Sequence, residues 1–415
     1  MIINRDLYLD QIIERKHNRL IKIVTGIRRC GKTFLLNELF VKHLFDSGVS
    51  KDHVIQISVE GIANSKFKDP DYVYRFITDQ MLDDSMYYII IDEVQEINNF
   101  IDLLIGLMIL KNTDVYVTGS NSRFLSTDIS TEFRGRSDVI ELHPLRFSEF
   151  VSQYSNIDES WDDYITYGGM PQILTYKTAA AKEKYLSDLF SSSLERDVFE
   201  RNGIKKENEF DDLINVLASG IGSLTNANKL EKTYKSEKHV SFPHTTIDKY
   251  IDYLEEAFIV RKSLKYDVKG RRYIGTPYKI YFEDIGLRNA RLNFRQIEEN
   301  HIMENIIFNE LRARGYKSDV GIVEHYKKDP EGKTIRIEYE VDFVVNKGSE
   351  RYYIQSAFEI SNEEKMNQEK NSLRNIGDSF KKIIIEKGYI KPKIDEDGII
   401  RIGLINFLLD DKIIS

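Results

Sequence analysis

A single cysteine in 415 residues excludes an internal disulfide framework and a cysteine-based zinc site. Seven prolines and the lack of any low-complexity tract argue against long disordered linkers. No apolar run reaches membrane-spanning length, since Tyr87-Tyr88-Ile89-Ile90-Ile91 stops at Asp92. The opening Met1-Ile2-Ile3-Asn4-Arg5-Asp6 lacks the apolar stretch of a signal peptide. Positive charge is short as well. With 59 Lys and Arg against 67 Asp and Glu, the formal net charge is −8. Nucleic-acid binding, if present, must therefore come from a local patch rather than from the whole surface. The expected setting is a reducing cytoplasm, with no membrane partner. What remains is ordinary globular material, 41% hydrophobic and 30% charged. The length predicts more than one domain.

The most informative segment is Gly26-Ile27-Arg28-Arg29-Cys30-Gly31-Lys32-Thr33, a complete GxxxxGK[ST] loop. A short β-branched strand, Leu20–Thr25, precedes it, and apolar residues at helical spacing follow from Thr33 to Leu44. This context predicts a phosphate cradle built from backbone N–H groups and a helix N-terminus. Lys32 is expected to reach the β- and γ-phosphates of ATP, and the Thr33 hydroxyl to ligate Mg²⁺. Cys30 reads as a small filler of the loop.

A second signature, Tyr87–Ile91 followed by Asp92 and Glu93, places two carboxylates at the end of a buried strand. Ligands of open α/β sheets bind beyond the carboxyl ends of the strands. Asp92 is expected in the Mg²⁺ shell, and Glu93 as the general base that polarises the attacking water. A third strand, Asp114–Thr118, ends in Gly119-Ser120-Asn121-Ser122. Asn121, or Ser120 beside it, is a candidate to orient that water or touch the γ-phosphate.

Together with Val54–Val59 as an intervening strand, this order resembles the AAA+ type of P-loop ATPase. The segments Glu132-Phe133-Arg134-Gly135-Arg136 and Tyr167-Gly168-Gly169-Met170-Pro171 sharpen the likeness to one prokaryotic family of such ATPases. Its members carry a C-terminal region first catalogued as a domain of unknown function, and the resemblance spans essentially the whole chain. It implies that Arg136, with Arg134 as runner-up, stabilises charge at a γ-phosphate, in cis or from a neighbouring subunit. The expected fold is α/β: an AAA+-type core with a parallel sheet over 1–150 and a helical lid over 151–205. A winged helix over 206–285 and a nuclease-like α/β domain over 286–415 follow. Trp161, in the lid, is expected in the core.

In the C-terminal half, three short helical segments and a hairpin follow the winged-helix order. Arg261, Lys262, Lys265, Lys269, Arg271 and Arg272 put six cations on the hairpin against one acid, Asp267, as the candidate nucleic-acid contact. Farther on, a helical Glu304, a strand Asp342 and Gln355 at a later strand tip resemble the PD-(D/E)xK nuclease core. The position expected to hold lysine is Ala357, which predicts a defective hydrolytic site; Lys365 is the substitute to consider. The reading is an ATP-hydrolysing motor or switch. Rival readings are an ATP-responsive DNA-binding regulator without turnover and an ATP-gated nuclease. A homo-oligomer or a protein client is a further expected partner.

Overall fold

The computed structural model describes residues 2–120, 135–204, 207–296, 298–328, 331–360 and 363–414. It divides into two compact units, Met1–Pro144 with Glu256–Phe258, and Leu145–Glu255 with Ile259–Ser415. Each is described by itself.

In the first unit, five runs rich in Ile, Val and Tyr form β1 (Ile21–Thr25), β2 (Val54–Ser58), β3 (Tyr87–Asp92), β4 (Thr113–Gly119) and β5 (Ser137–Glu141). Strands β1 and β3 are buried throughout, which is why they read as continuous apolar runs rather than alternating ones. The sheet is parallel, in the order β2-β3-β4-β1-β5. Inserting β4 beside β1 opens a crevice at their carboxyl ends, where α/β sheets take ligands. One face of the sheet is closed by Ile57, Ile89, Ile91, Leu104, Leu107 and Val117. The chain leaves β1 through Gly26–Gly31 and enters a helical stretch from Lys32 to Asp46, with π-helical geometry over Leu35–Phe40. At the other end of the sheet Lys22 is buried and pairs with Asp114, which also accepts from the Tyr116 hydroxyl at 2.7 Å.

The second unit joins helices to one large sheet. Helices Ile157–Tyr167 and Ala179–Leu194, from the segment expected to form a lid, pack on the helix Ile285–Arg291 and so belong with the C-terminal half. Trp161 is half-buried, edge-on to Phe147 at 5.5 Å. Next come helices Glu207–Ser219, Ala227–Thr233 and His244–Glu256, then the antiparallel hairpin β6 (Val260–Asp267) and β7 (Arg272–Phe282). This hairpin is not a separate wing. Lys265, Tyr266 and Asp267 of β6 pair in parallel with Val320, Gly321 and Ile322 of β8 (Lys317–Lys328), joining the hairpin to the strands that follow in one eight-stranded sheet. The boundary drawn at 285/286 therefore separates strands of a single sheet. A parallel pairing between segments some fifty residues apart leaves no local sequence signal.

After the helix Glu299–Ala313, the strands β8, β9 (Thr334–Lys347) and β10 (Glu350–Ala357) pair antiparallel. The helix Glu363–Arg374 then leads to β11 (Lys381–Glu386), which is parallel to β10. The strands β12 (Lys393–Ile394) and β13 (Ile400–Gly403) complete the edge.

The Gly168-Gly169 pair has a packing reason. A Cβ at Gly168, where φ is +71°, would lie 2.3 Å from Asp284 Oδ1, and one at Gly169 would lie 2.2 Å from the Leu145 carbonyl oxygen. The Asp284 carboxylate accepts from the Gly169 N–H at 2.7 Å and caps its own helix through the Leu287 N–H at 3.0 Å.

Candidate nucleotide site and the acid cluster of the C-terminal unit

The loop after β1 is shaped by its glycines. Gly26 has φ +144°, and a Cβ there would stand 2.1 Å from the Leu142 carbonyl oxygen, so no side chain fits. Gly31 is left-handed, with φ 105°, immediately before the helix. Cys30 is buried, and its thiol donates to Leu142 O at 3.4 Å, in line with a filler role. Lys32 is buried and bridges the loop, donating to the carbonyl oxygens of Gly26 at 3.0 Å and Ile27 at 3.1 Å. Arg28 stands 3.8 Å from Glu60, and Arg29 is exposed with φ 64°.

Across the crevice the Thr33 hydroxyl donates to Asp92 at 3.0 Å, and the Thr118 hydroxyl donates to the same carboxylate at 2.6 Å. Thr118 also accepts from the Glu93 N–H at 2.8 Å and thus ties both acids to β4. Burial pushes the Asp92 carboxyl above the ordinary range. The Thr118 and Thr33 hydroxyls and Lys32 pull it back in part, while Glu93 adds to the rise. A cation placed between Thr33 and Asp92 would relieve that strain on the charge, and both are oxygen donors of the kind Mg²⁺ prefers. The residues present therefore fit a nucleotide with its metal. Glu93 is half-buried, has φ 53°, and its carboxylate accepts from the Gln95 side-chain amide.

Ser120, at the tip of β4, is buried, and its hydroxyl has no hydrogen-bond partner among the described residues. An orphaned buried hydroxyl at a ligand crevice is an opening for a ligand oxygen. Asn121 and Arg134 lie outside the described residues. Arg136 is exposed and sits away from this crevice: its carbonyl accepts from the Ile21 N–H at 3.0 Å, at the amino end of β1. Gly26 lies five residues farther along β1, about 17 Å at strand rise. An arginine side chain does not span that distance, so the cis alternative for Arg136 fails.

In the second unit, Glu304, Asp342 and Gln355 do converge, together with a residue the sequence did not flag. The Lys279 ammonium of β7 lies 2.7 Å from Glu304, 3.1 Å from Asp342 and 2.6 Å from Glu340. The Tyr281 hydroxyl donates to Glu304 at 2.6 Å. Burial alone would lower the Lys279 pKa, but Tyr281 and the three carboxylates override it and hold the ammonium well above the ordinary lysine range. Burial pushes Glu304 up to about 7, against the pull of Lys279. Ala357 is buried in the core, and Lys365 lines a cavity of about 460 Å³ with Glu304, Asp342, Gln355 and Glu369. The missing lysine of the later strand thus has a neighbour from an earlier one. The signal available in sequence was a lone lysine inside Tyr278-Lys279-Ile280-Tyr281-Phe282, a position with apolar or aromatic residues on both sides.

The six hairpin cations do not act as one patch. Arg261 faces Glu283 at 3.8 Å, Lys262 is held by Asp252 and by Glu255 at 3.3 Å, and buried Lys265 approaches Glu338 at 3.4 Å. Lys269, Arg271 and Arg272 are exposed at the turn, where Lys269 donates to Glu324 O at 2.7 Å and Arg272 lies 3.4 Å from Asp267. The apparent run of charge is largely a set of ion pairs.

Comparison with known proteins agrees with the first unit. Residues 18–151 match the family described as an AAA domain, and residues 158–298 match a domain of unknown function, DUF8612. An uncharacterized protein of Haemophilus influenzae is 33% identical over 415 residues, covering 98% of this chain and 99% of its own length. The chain belongs to the same family as that protein. Uncharacterized protein MJ1544 of Methanocaldococcus jannaschii is 26% identical over 375 residues, 87% of this chain and 78% of its own length. Among solved structures, the Aeropyrum pernix Orc1 protein in complex with DNA covers 71% of this chain and 93% of its own, at 12% identity and a TM-score of 0.28. The AAA domain gives this family a P-loop fold and a nucleotide-binding, ATPase-like role. No described helix is long and apolar enough to cross a membrane.

Proposed function

We propose that the chain is an ATP-hydrolysing AAA+-type switch or motor, in which nucleotide state governs the C-terminal unit. The observation that carries this reading is the meeting of Lys32, Thr33, Asp92 and Glu93 at the carboxyl ends of β1 and β3. The Gly26–Thr33 loop and Lys32 would hold the phosphates of ATP; Thr33 and Asp92 would hold Mg²⁺, which supplies charge neutralisation at the phosphates. Lys32 must exchange its two loop carbonyls for phosphate oxygens, a local rearrangement of one side chain. Glu93 takes a proton from water as general base once Gln95 releases its carboxylate. Ser120 supplies a polar contact at the tip of β4.

The C-terminal unit is a nuclease-like sheet into which the hairpin that follows the three helices is merged. The helix, three-strand, helix, strand order over 299–386 supports it. So does the convergence of Glu304, Asp342 and Gln355. A contact to nucleic acid would fall on the turn carrying Lys269, Arg271 and Arg272.

The test is ATP turnover with paired variants. Glu93→Gln should keep ATP affinity and lose about 100-fold or more in turnover. Lys32→Ala should lose tight binding. Normal affinity in Lys32→Ala sinks the assignment, and undiminished turnover in Glu93→Gln moves the base elsewhere. Wild-type protein that binds ATP without hydrolysing it supports the regulator reading instead.

A further inference from the structure

The acid cluster of the C-terminal unit carries an inference independent of the ATPase reading. A nuclease-like site of this outline implies a divalent metal held by Glu304 and Asp342. The residues present do not fit one. We propose that Lys279 is the resident cation of this cluster: its ammonium fills the place between Glu304 and Asp342 that a divalent metal would take, and the site is closed to metal-dependent strand cleavage.

Three observations carry it. First, the ammonium touches all three carboxylates, at 2.7, 3.1 and 2.6 Å, and is itself buried. A metal that used the same Glu304 and Asp342 oxygens at bonding distance would stand within contact of that ammonium, and like charges there repel strongly. Second, two of the oxygens that a metal would need already carry other hydrogen bonds. Tyr281 donates to the Glu304 oxygen that Lys279 also holds, and the other Asp342 oxygen accepts from the Ser356 N–H at 2.9 Å. Third, the adjoining cavity is acidic, lined by Glu299, Glu304, Asp342, Glu359 and Glu369, with Lys365 as the only lysine or arginine among its lining residues. A phosphodiester would be repelled there unless a metal neutralised it. Gln355 and Ala357 supply no charge for that purpose.

Lys279 therefore does for the fold what a metal does in a metal-bound cluster: it lets the carboxylates of Glu304 on the helix and Asp342 on β9 face one another. The corollary is a latent metal site. Removing the ammonium leaves Glu304, Asp342 and Glu340 without a counter-ion, a donor set suited to a hard divalent cation.

The experiment measures Mn²⁺ binding to the nucleotide-free full chain, by electron paramagnetic resonance of free Mn²⁺. Wild type and Asp342→Asn should bind alike. Lys279→Met should gain one Mn²⁺ equivalent, lose it on addition of Asp342→Asn, and show a melting temperature that rises with Mn²⁺. Should Lys279→Met not fold alone, Lys279→Met with Glu340→Gln lowers the unbalanced charge and carries the same measurement. Wild-type Mn²⁺ binding that weakens on Asp342→Asn overturns the proposal. A folded Lys279→Met protein, single or double, that gains no Mn²⁺ also overturns it. If neither variant folds with or without Mn²⁺, the comparison of wild type with Asp342→Asn decides by itself.

Discussion

At the scale of single residues, the positions that matter most are those where backbone approaches backbone or charge is buried. Gly168 combines both. Its φ of +71° lies in a region that a side chain rarely adopts, and its Cβ position is taken by the Asp284 carboxylate. Gly168→Ala should lower the stability of the C-terminal unit by about 2–4 kcal/mol, from backbone strain plus displacement of a buried carboxylate. Denaturant unfolding is the check; an unchanged midpoint would show that the loop moves aside at no cost. Gly26 is held in the same way by Leu142, but there the consequence is the shape of the phosphate loop. Thr118 is a different case, a hydroxyl that orients Asp92 with one bond and the Glu93 backbone with another.

Among the elements, the helix Ile285–Arg291 organises the second unit. Asp284 caps it, and the Gly169 N–H binds the same carboxylate. Burial pushes Asp284 up to about 6, although the N–H groups of Gly169, Leu287 and Gly286 favour its charge. The sign follows from linkage. Because the folded value is raised above the unfolded 3.8, the native state holds this proton when the unfolded chain has lost it. The stability tied to protonated Asp284 is thus fully present below the unfolded value and lost as pH rises through about 6. The unfolding free energy of wild type minus that of Asp284→Asn should fall from pH ~4 to ~6 and level off above, as read by urea unfolding across that range. A difference that grows with pH would mean the three N–H bonds outweigh burial.

For the molecule as a whole, subunit organisation is the open variable that geometry constrains. Arg136 lies at the amino end of β1 and β5, whereas the phosphate loop leaves the carboxyl end. An arginine there meets a γ-phosphate only if that nucleotide belongs to another copy of the chain. Arg136→Ala should lower turnover more than ATP affinity, since its charge matters most in the transition state. Mixing Arg136→Ala with Glu93→Gln protein should restore part of the activity that each lacks. The absence of rescue at every mixing ratio would leave Arg136 a surface role.

The two halves of the chain differ in how much of this was legible beforehand. The phosphate loop, the Asp92–Glu93 strand and the succession of strands along the first unit were readable, because the chemistry is contiguous and the strands that carry it are local apolar runs. Sequence also brought out Glu304, Asp342 and Gln355 as related positions. It had no means of placing Arg136 at the far end of the sheet, since that depends on the parallel register of β1 with β5. Nor did it show that Arg261, Lys262 and Lys265 are spent on acids from other segments, or that β6 joins β8 across the expected domain boundary. Lys279 is the clearest instance. Along the chain it is one lysine in an apolar strand, and only folding brings it against carboxylates 25 and 63 residues away. Local patterns determine which elements form and which loops can cradle phosphate; the pairing of distant strands decides which charges meet, because Coulomb attraction depends on separation in space and not along the chain.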